Sequence, residues 1–366
     1  MLAPSKSPCP ARHTVEKGDG VRYERLYVAG TGLHLPAAVA AEAAVDAGLC
    51  DPRAVRRMRM RSVCVSDAES GPEMAVHAAR AALRQAGTRP DHIGLVLHAC
   101  TYHQGHDLWA PASYVQRMAV GNACLSVEVR QLSNGGMAAM ELAAAHLSAH
   151  PDRHSALVTT GDRFCPPGFD RWNTDPGTVC GDGGTAMVLS TRGGFARVRS
   201  LVTVSDPELE HMGRGADPFS DAPLGARSPI SIETHRTALA KEFGMNELLK
   251  RLTVGQLEAY EQALADAETA ATAVDRFVLP NLGHPKMDFQ FFRALGIEER
   301  RTTWTWGSGI GHLGAGDQIA GLTHLMDTGA LPPGATCVLL GAGAGFSWSA
   351  AVLDIVDTPV PHDTAW

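Results

Sequence analysis

The chain has no Cys-x-x-Cys pair, no long apolar run and no surplus of positive charge. Its eight cysteines stand singly along 366 residues, several of them inside apolar stretches. That spacing excludes paired-thiol zinc and dithiol redox motifs and suits reduced, buried thiols in a cytoplasmic protein. No segment reaches the ~18 consecutive apolar residues of a membrane span, so no membrane partner is expected. Acidic residues outnumber basic ones 39 to 32, giving a net charge of −7 with no basic stripe. Nucleic acid is therefore not expected as a partner. His98, Cys100, His103 and His106 follow no common ligand spacing, and no metal is expected either.

What is present is ample apolar material, 45% of residues against 19% charged, enough for a large core and two fused domains. Residues 1–24, polar with Pro and Gly, read as a flexible extension. Strand-like runs at residues 26–29, 93–99, 126–130, 155–160 and 186–190 alternate with helical stretches at 73–85, 110–119 and 137–149. A second series has strands at 196–204, 274–279 and 337–341 and helices at 246–269 and 287–295. Such alternation predicts an α/β protein with right-handed crossovers, in two halves over residues 25–191 and 192–366. Between them, residues 208–229 are rich in Gly, Pro and Asp and read as a long surface loop.

Chemistry is concentrated at two places. Val127 to Met137 reads as a strand, a sharp turn at Ser133 and the start of an alanine-rich helix. A serine there is a common helix cap. It also stands where unpaired N–H groups and the helix dipole favour developing negative charge. Far downstream, Gly307 to Asp317 is a glycine-rich loop that carries His312 and Asp317 into the amphipathic stretch 318–326. A serine hydroxyl is a weak nucleophile until a base takes its proton, and that base needs its other ring nitrogen held by an acceptor. His312 and Asp317 supply both.

From about Arg25 to Ile355 the chain resembles the β-ketoacyl-ACP synthase III group of the thiolase superfamily. The resemblance rests on the nucleophile turn, on Cys180-Gly181-Asp182-Gly183-Gly184 feeding a buried strand, and on the strand and glycine loop from Cys337 to Trp348. It implies a thiolase fold, two similar halves in five αβαβα layers with five-stranded sheets. It further implies a homodimer pairing through residues 126–130, an oxyanion hole from the backbone N–H groups of Ser133 and Ala344, and no cofactor beyond a coenzyme A thioester as substrate. Condensing members use cysteine, histidine and asparagine. Here the nucleophile position holds Ser133, the family histidine position holds Asn281, and the family asparagine position holds His312.

That exchange, with Asp317 added, resembles the minority of the group in polyketide and antibiotic pathways that transfer an acyl group without forming a carbon–carbon bond. The expected function is an acyltransferase with a Ser133-His312-Asp317 triad. It takes acyl from acyl-CoA or acyl carrier protein and passes it to a carrier thiol, or to a hydroxyl or amine of a natural-product intermediate. Asn281 is expected to position substrate. Arg57, Arg59 and Arg61 are expected to meet the phosphates of coenzyme A or an acidic carrier protein. The alternative is a decarboxylating synthase that condenses a starter acyl unit with malonyl-ACP.

Overall fold

The computed structural model describes Tyr23, residues 25–150 and residues 152–359. Apart from Tyr23, the extension expected over residues 1–24 lies outside them. The strands are β1 (Tyr27–His34), β2 (Ala38–Ala40), β3 (Ser62–Cys64), β4 (Ile93–Ala99), β5 (Leu125–Val129), β6 (Ser155–Asp162), β7 (Gly183–Ser190), β8 (Ala196–Ser205), β9 (Arg276–Val278), β10 (Thr336–Gly343) and β11 (Ser347–Ile355). Nine join in the order β5-β4-β6-β7-β1-β8-β11-β10-β9, while β2 and β3 form a separate antiparallel pair. β4 runs parallel to β5 and β6, and β9 runs parallel to β10. The halves meet edge to edge where Tyr27 and Val28 pair with Arg197 and Ala196.

β4, β6 and β7 lack polar alternation, as strands covered on both faces do, and every residue in them is buried. Successive side chains then enter different cores. Ala156 and Val158 of β6 join a central core with the helix Gly135–Ala149, whereas Leu157 joins an outer core with the helix Gly71–Gln85. In the second half Cys337 and Leu339 enter the same central core, together with Ile319, Leu322 and Leu325 of the helix Asp317–Asp327. Val338 and Leu340 face the helix Met245–Asp266 on the other side. The result is helix, half-sheet, two central helices, half-sheet, helix, the expected five layers.

Two features depart from the sequence-based expectation. Among the described residues the second half contributes four strands, β8 to β11, rather than five. One of these, β11, begins Ser-Trp-Ser-Ala-Ala, which has little strand preference of its own and is extended because β8 and β10 pair with it on both edges. The segment 208–229 is also not simply a surface loop. Leu209 and Met212 are buried in the second-half core. Beyond it, Ile230 N–H bonds to the Gly168 carbonyl and Ile232 N–H to that of Thr174, tying the segment to the first half.

The Gly181–Gly183 turn is fixed by Asp182, which is fully buried. Its carboxylate accepts from the backbone of Ser66 and Phe164, both at 2.9 Å, and from two guanidinium nitrogens of Arg171 at 3.0 and 2.9 Å. Arg171→Ala leaves that charge without its counter-ion and is expected to cost about 3–5 kcal/mol of stability. A urea midpoint unchanged from the wild type would show that the pair is not needed.

Candidate active site

β5 ends at Val129, and the chain turns through Leu132, held in the left-handed region at φ 47°, before the helix Gly135–Ala149 begins. Ser133 sits on this turn, half-buried. Its Oγ lies 2.8 Å from His312 Nε2. His312 comes from the other half of the molecule. Its N–H donates to the Val179 carbonyl, and its carbonyl accepts from Gly181, so the imidazole is held against the segment that leads into the Asp182 turn. Gly311, at φ 85°, makes this approach possible, since a Cβ there would stand 2.9 Å from Gly181 N and 2.8 Å from Val63.

His312 Nδ1 lies 2.5 Å from Asp317 Oδ2. The same carboxylate accepts from Leu313 N–H at 2.8 Å, Asn281 N–H at 2.8 Å and the Asn281 side-chain amide at 2.9 Å. Burial acts to lower the His312 pKa, but the charge and hydrogen bond of Asp317 outweigh it, and the net shift is upward. With its proton on Nδ1 facing Asp317, the neutral ring presents Nε2 as an acceptor to the Ser133 hydroxyl. The geometry can therefore remove the Ser133 proton and stabilise the resulting imidazolium.

Asn281 differs from the expectation that it positions substrate. It is only 2% exposed, and both amide hydrogens are used, one on Asp317 and one on the Gly311 carbonyl at 3.1 Å. Its side chain is committed to the Asp317 carboxylate and Gly311, with no donor left over. Ala344 follows β10 in a loop that touches the nucleophile turn, because Gly343 packs against Gln131 and Asn134. The Ser133 and Ala344 backbones thus approach from opposite halves.

The arginines separate into different environments. Arg61 is engaged by Ser308 Oγ at 3.2 Å and the Thr305 carbonyl at 2.7 Å. Arg59 lies over the Trp304 ring and 3.7 Å from Glu299. Arg57 is exposed at the end of the helix Pro52–Met58. Arg61 is thus committed to the protein's own chain, and Arg59 is partly so. His98 is buried, with its ring nitrogens 2.9 Å from Thr159 Oγ1 and 3.0 Å from Gln104 Oε1.

Sequence reading missed two carboxylates near the site, Asp162 fully buried and Asp175 half-buried. Asp162, at the end of β6, is pushed by burial up to about 7 even though it accepts from the Thr101 and Tyr102 backbone. Asp175 would likewise be raised by burial, but Lys286 and Arg236 hold it down to about 2. Lys286 Nζ donates to both Asp175 oxygens at 2.9 Å and to Thr178 at 2.8 Å. Neither carboxylate falls in a motif; the partners are distant in sequence.

Residues 264–355 match the family model described as 3-oxoacyl-[acyl-carrier-protein] synthase III, C terminal. A solved structure described as ChlB3, an acyltransferase, is 36% identical to the chain, with a TM-score of 0.87 over 91% of this chain and 98% of that one. The chain belongs to the β-ketoacyl-ACP synthase III family of the thiolase superfamily. The β-ketoacyl-[acyl-carrier-protein] synthase III of Sphingopyxis alaskensis is 27% identical over 339 residues, 90% of this chain and 99% of that protein. A 3-oxoacyl-[acyl-carrier-protein] synthase III structure from Aquifex aeolicus has a TM-score of 0.74 at 16% identity, covering 90% of this chain and 99% of that one, a likeness of fold. Family membership makes the protein a transferase of the acyl-transfer and condensation type. Among the described residues, no helix is long and apolar enough to cross a membrane.

Because Asp317 outweighs burial in raising the His312 pKa, Asp317→Asn is expected to lower it. The imidazole resonances of His312, followed by NMR against pH, should then titrate at lower pH in the variant than in the wild type. An unmoved titration would mean that the carboxylate does not act on the ring.

Proposed function

We propose that this protein is an acyltransferase that carries an acyl group on Ser133 and forms no carbon–carbon bond. The observation that supports it most is the unbroken line from Ser133 through His312 to Asp317, with Asn281 turned onto Asp317 and away from substrate. The ChlB3 relative, described as an acyltransferase, agrees with it.

In this reading Ser133 Oγ attacks the carbonyl of an acyl thioester while His312 Nε2 takes the hydroxyl proton. The tetrahedral oxyanion is met by the N–H groups of Ser133 and Ala344, donors each worth about 10²–10³ in rate. Collapse breaks the carbon–sulfur bond, and the departing thiolate takes the proton from His312. The acceptor then gives its proton to His312, attacks the Ser133 ester, and returns Ser133 to its hydroxyl form. Asp317 holds the tautomer and stabilises the imidazolium in both steps. A condensing reaction requires donors for an enolate, and Asn281 has none to offer.

The substrates in this proposal are acyl-CoA or an acylated carrier protein, and the acceptor is a carrier thiol or a nucleophile of a natural-product intermediate in polyketide or antibiotic assembly. Exposed Arg57 is the freest of the three arginines to meet a phosphate or an acidic carrier. The described cysteines are free, consistent with a reducing, cytoplasmic setting. β5 is an edge strand with Leu125 and Val127 exposed, which suits pairing with a second copy across a two-fold axis.

Incubation with a panel of acyl-CoA esters, followed by intact-mass measurement, should add one acyl group to the wild type and none to Ser133→Ala. Acyl addition to the variant would place the nucleophile elsewhere. Asp317→Asn should slow acylation and transfer by up to ~10⁴. Asn281→Ala should slow them by roughly 10- to 100-fold, the equivalent of one hydrogen bond to a charged group. Carbon dioxide release from a malonyl thioester that persists in Asp317→Asn and stops in Asn281→Ala would overturn the acyltransferase reading. Sedimentation at micromolar concentration should give a dimer, and a monomer would remove the β5 pairing.

A further inference from the structure

Beside the triad lies a second set of buried and half-buried polar groups that the proposed reaction does not use. Asn134, the residue after the nucleophile, has no exposed surface. Its amide nitrogen donates to Ser347 Oγ at 3.0 Å and Ser349 Oγ at 2.8 Å, both on β11. Gln131, on the other side of Ser133, donates to the same Ser347 Oγ at 3.1 Å. Ser349 Oγ is 2.7 Å from Thr203 Oγ1, its cross-strand partner on β8, and Thr203 Oγ1 is 2.5 Å from Glu141 Oε2.

The direction of this chain follows from counting protons. A carboxylate only accepts, so the single Thr203 proton goes to Glu141. Ser349 must then donate to Thr203, which leaves its lone pairs for Asn134. The Asn134 amide is therefore obliged to present its NH₂ to the serines. Its oxygen is left without a partner, over Gly341. Each bond polarises the next in the same sense, from the nucleophile turn toward Glu141.

The sheet is shaped to receive this turn. Gly341 and Gly343 stand opposite Ser349 and Ser347 on β10. A Cβ on Gly341 would meet Asn134 Oδ1 at 2.4 Å, and one on Gly343 would meet Asn134 N at 2.5 Å and the Gln131 carbonyl at 2.6 Å. The turn that carries Ser133 is thus seated in a glycine groove of the opposite half and fastened on both sides of the nucleophile.

Resting on the acyltransferase reading, we propose that the chain Glu141-Thr203-Ser349-Asn134, with Ser347 and Gln131, is the positioning device that sets Ser133 against His312 and the Ala344 N–H. None of these residues touches substrate in this proposal. They act through the placement of the nucleophile, where a displacement of about 1 Å costs roughly 10²-fold in rate.

The test uses Thr203, which lies two hydrogen bonds from Asn134 and outside the reacting groups. Thr203→Val keeps the shape and removes the hydroxyl, whereas Thr203→Ser keeps the hydroxyl. Single-turnover acylation of the full-length protein by acyl-CoA should fall by roughly 10- to 100-fold in Thr203→Val with the half-saturating concentration unchanged, and Thr203→Ser should restore it. Asn134→Asp, which cannot donate to two serines, should be slowed at least as much. Melting temperatures taken alongside separate placement from folding: a slow Thr203→Val that melts as the wild type does supports the device. Wild-type rates in folded Thr203→Val and Asn134→Asp overturn it while the acyltransferase reading stands. A wild type that acquires no acyl mass overturns that reading and the device with it.

Discussion

The Asp317 carboxylate is the fixed point of the site. It is buried at the start of a central helix, where an uncompensated charge would be costly. Four donors hold it, from His312, the Leu313 backbone, and the backbone and side chain of Asn281. The first turn of the helix adds a favourable dipole. Because those donors come from both the glycine loop and the segment after β9, the carboxylate ties the two together. The direction of His312 then follows from the carboxylate.

Ser133 and His312 arrive from different halves of the chain, so their separation depends on how the halves pack. The central core is continuous across both, with Ala143 and Ala144 of one central helix and Leu322 of the other buried in the same cluster. Small residues let these helices lie between the half-sheets, and close packing of this kind transmits position faithfully. The glycine groove at Gly341 and Gly343 is where the second half comes closest to the Ser133 turn. At this junction Asn281 is hydrogen-bonded to the Asp317 carboxylate that holds His312, and Asn134, next to Ser133, is hydrogen-bonded to β11.

An exchange of histidine and asparagine between two positions changes which group stands beside Ser133. With His312 beside Ser133, the imidazole is placed to accept a proton from a hydroxyl. With Asn281 in the second position, its amide is consumed by Asp317 and Gly311. The same residue types in the same fold can thus suit different chemistry, because function resides in the directions of hydrogen bonds and not in the list of side chains.

Much of the architecture was legible from the letters, since buried strands such as β4 and β6 carry apolar stretches without regular polar alternation and the central helices are alanine-rich or amphipathic. Ser133, His312 and Asp317 could be singled out together because their residue types stand in a recognisable family context, and the fold brings the three side chains within hydrogen-bond reach. Four things were decided only by tertiary structure. The Ser- and Ala-rich start of β11 has weak strand preference and is extended because it is paired on both edges. Leu209 and Met212 left an apparently polar loop for a core formed by distant elements. Arg61 was drawn onto Thr305 and Ser308, and Asn281 onto Asp317. In each case the deciding partner is remote in sequence, and a side chain's direction depends on which remote donor or acceptor the fold brings within reach.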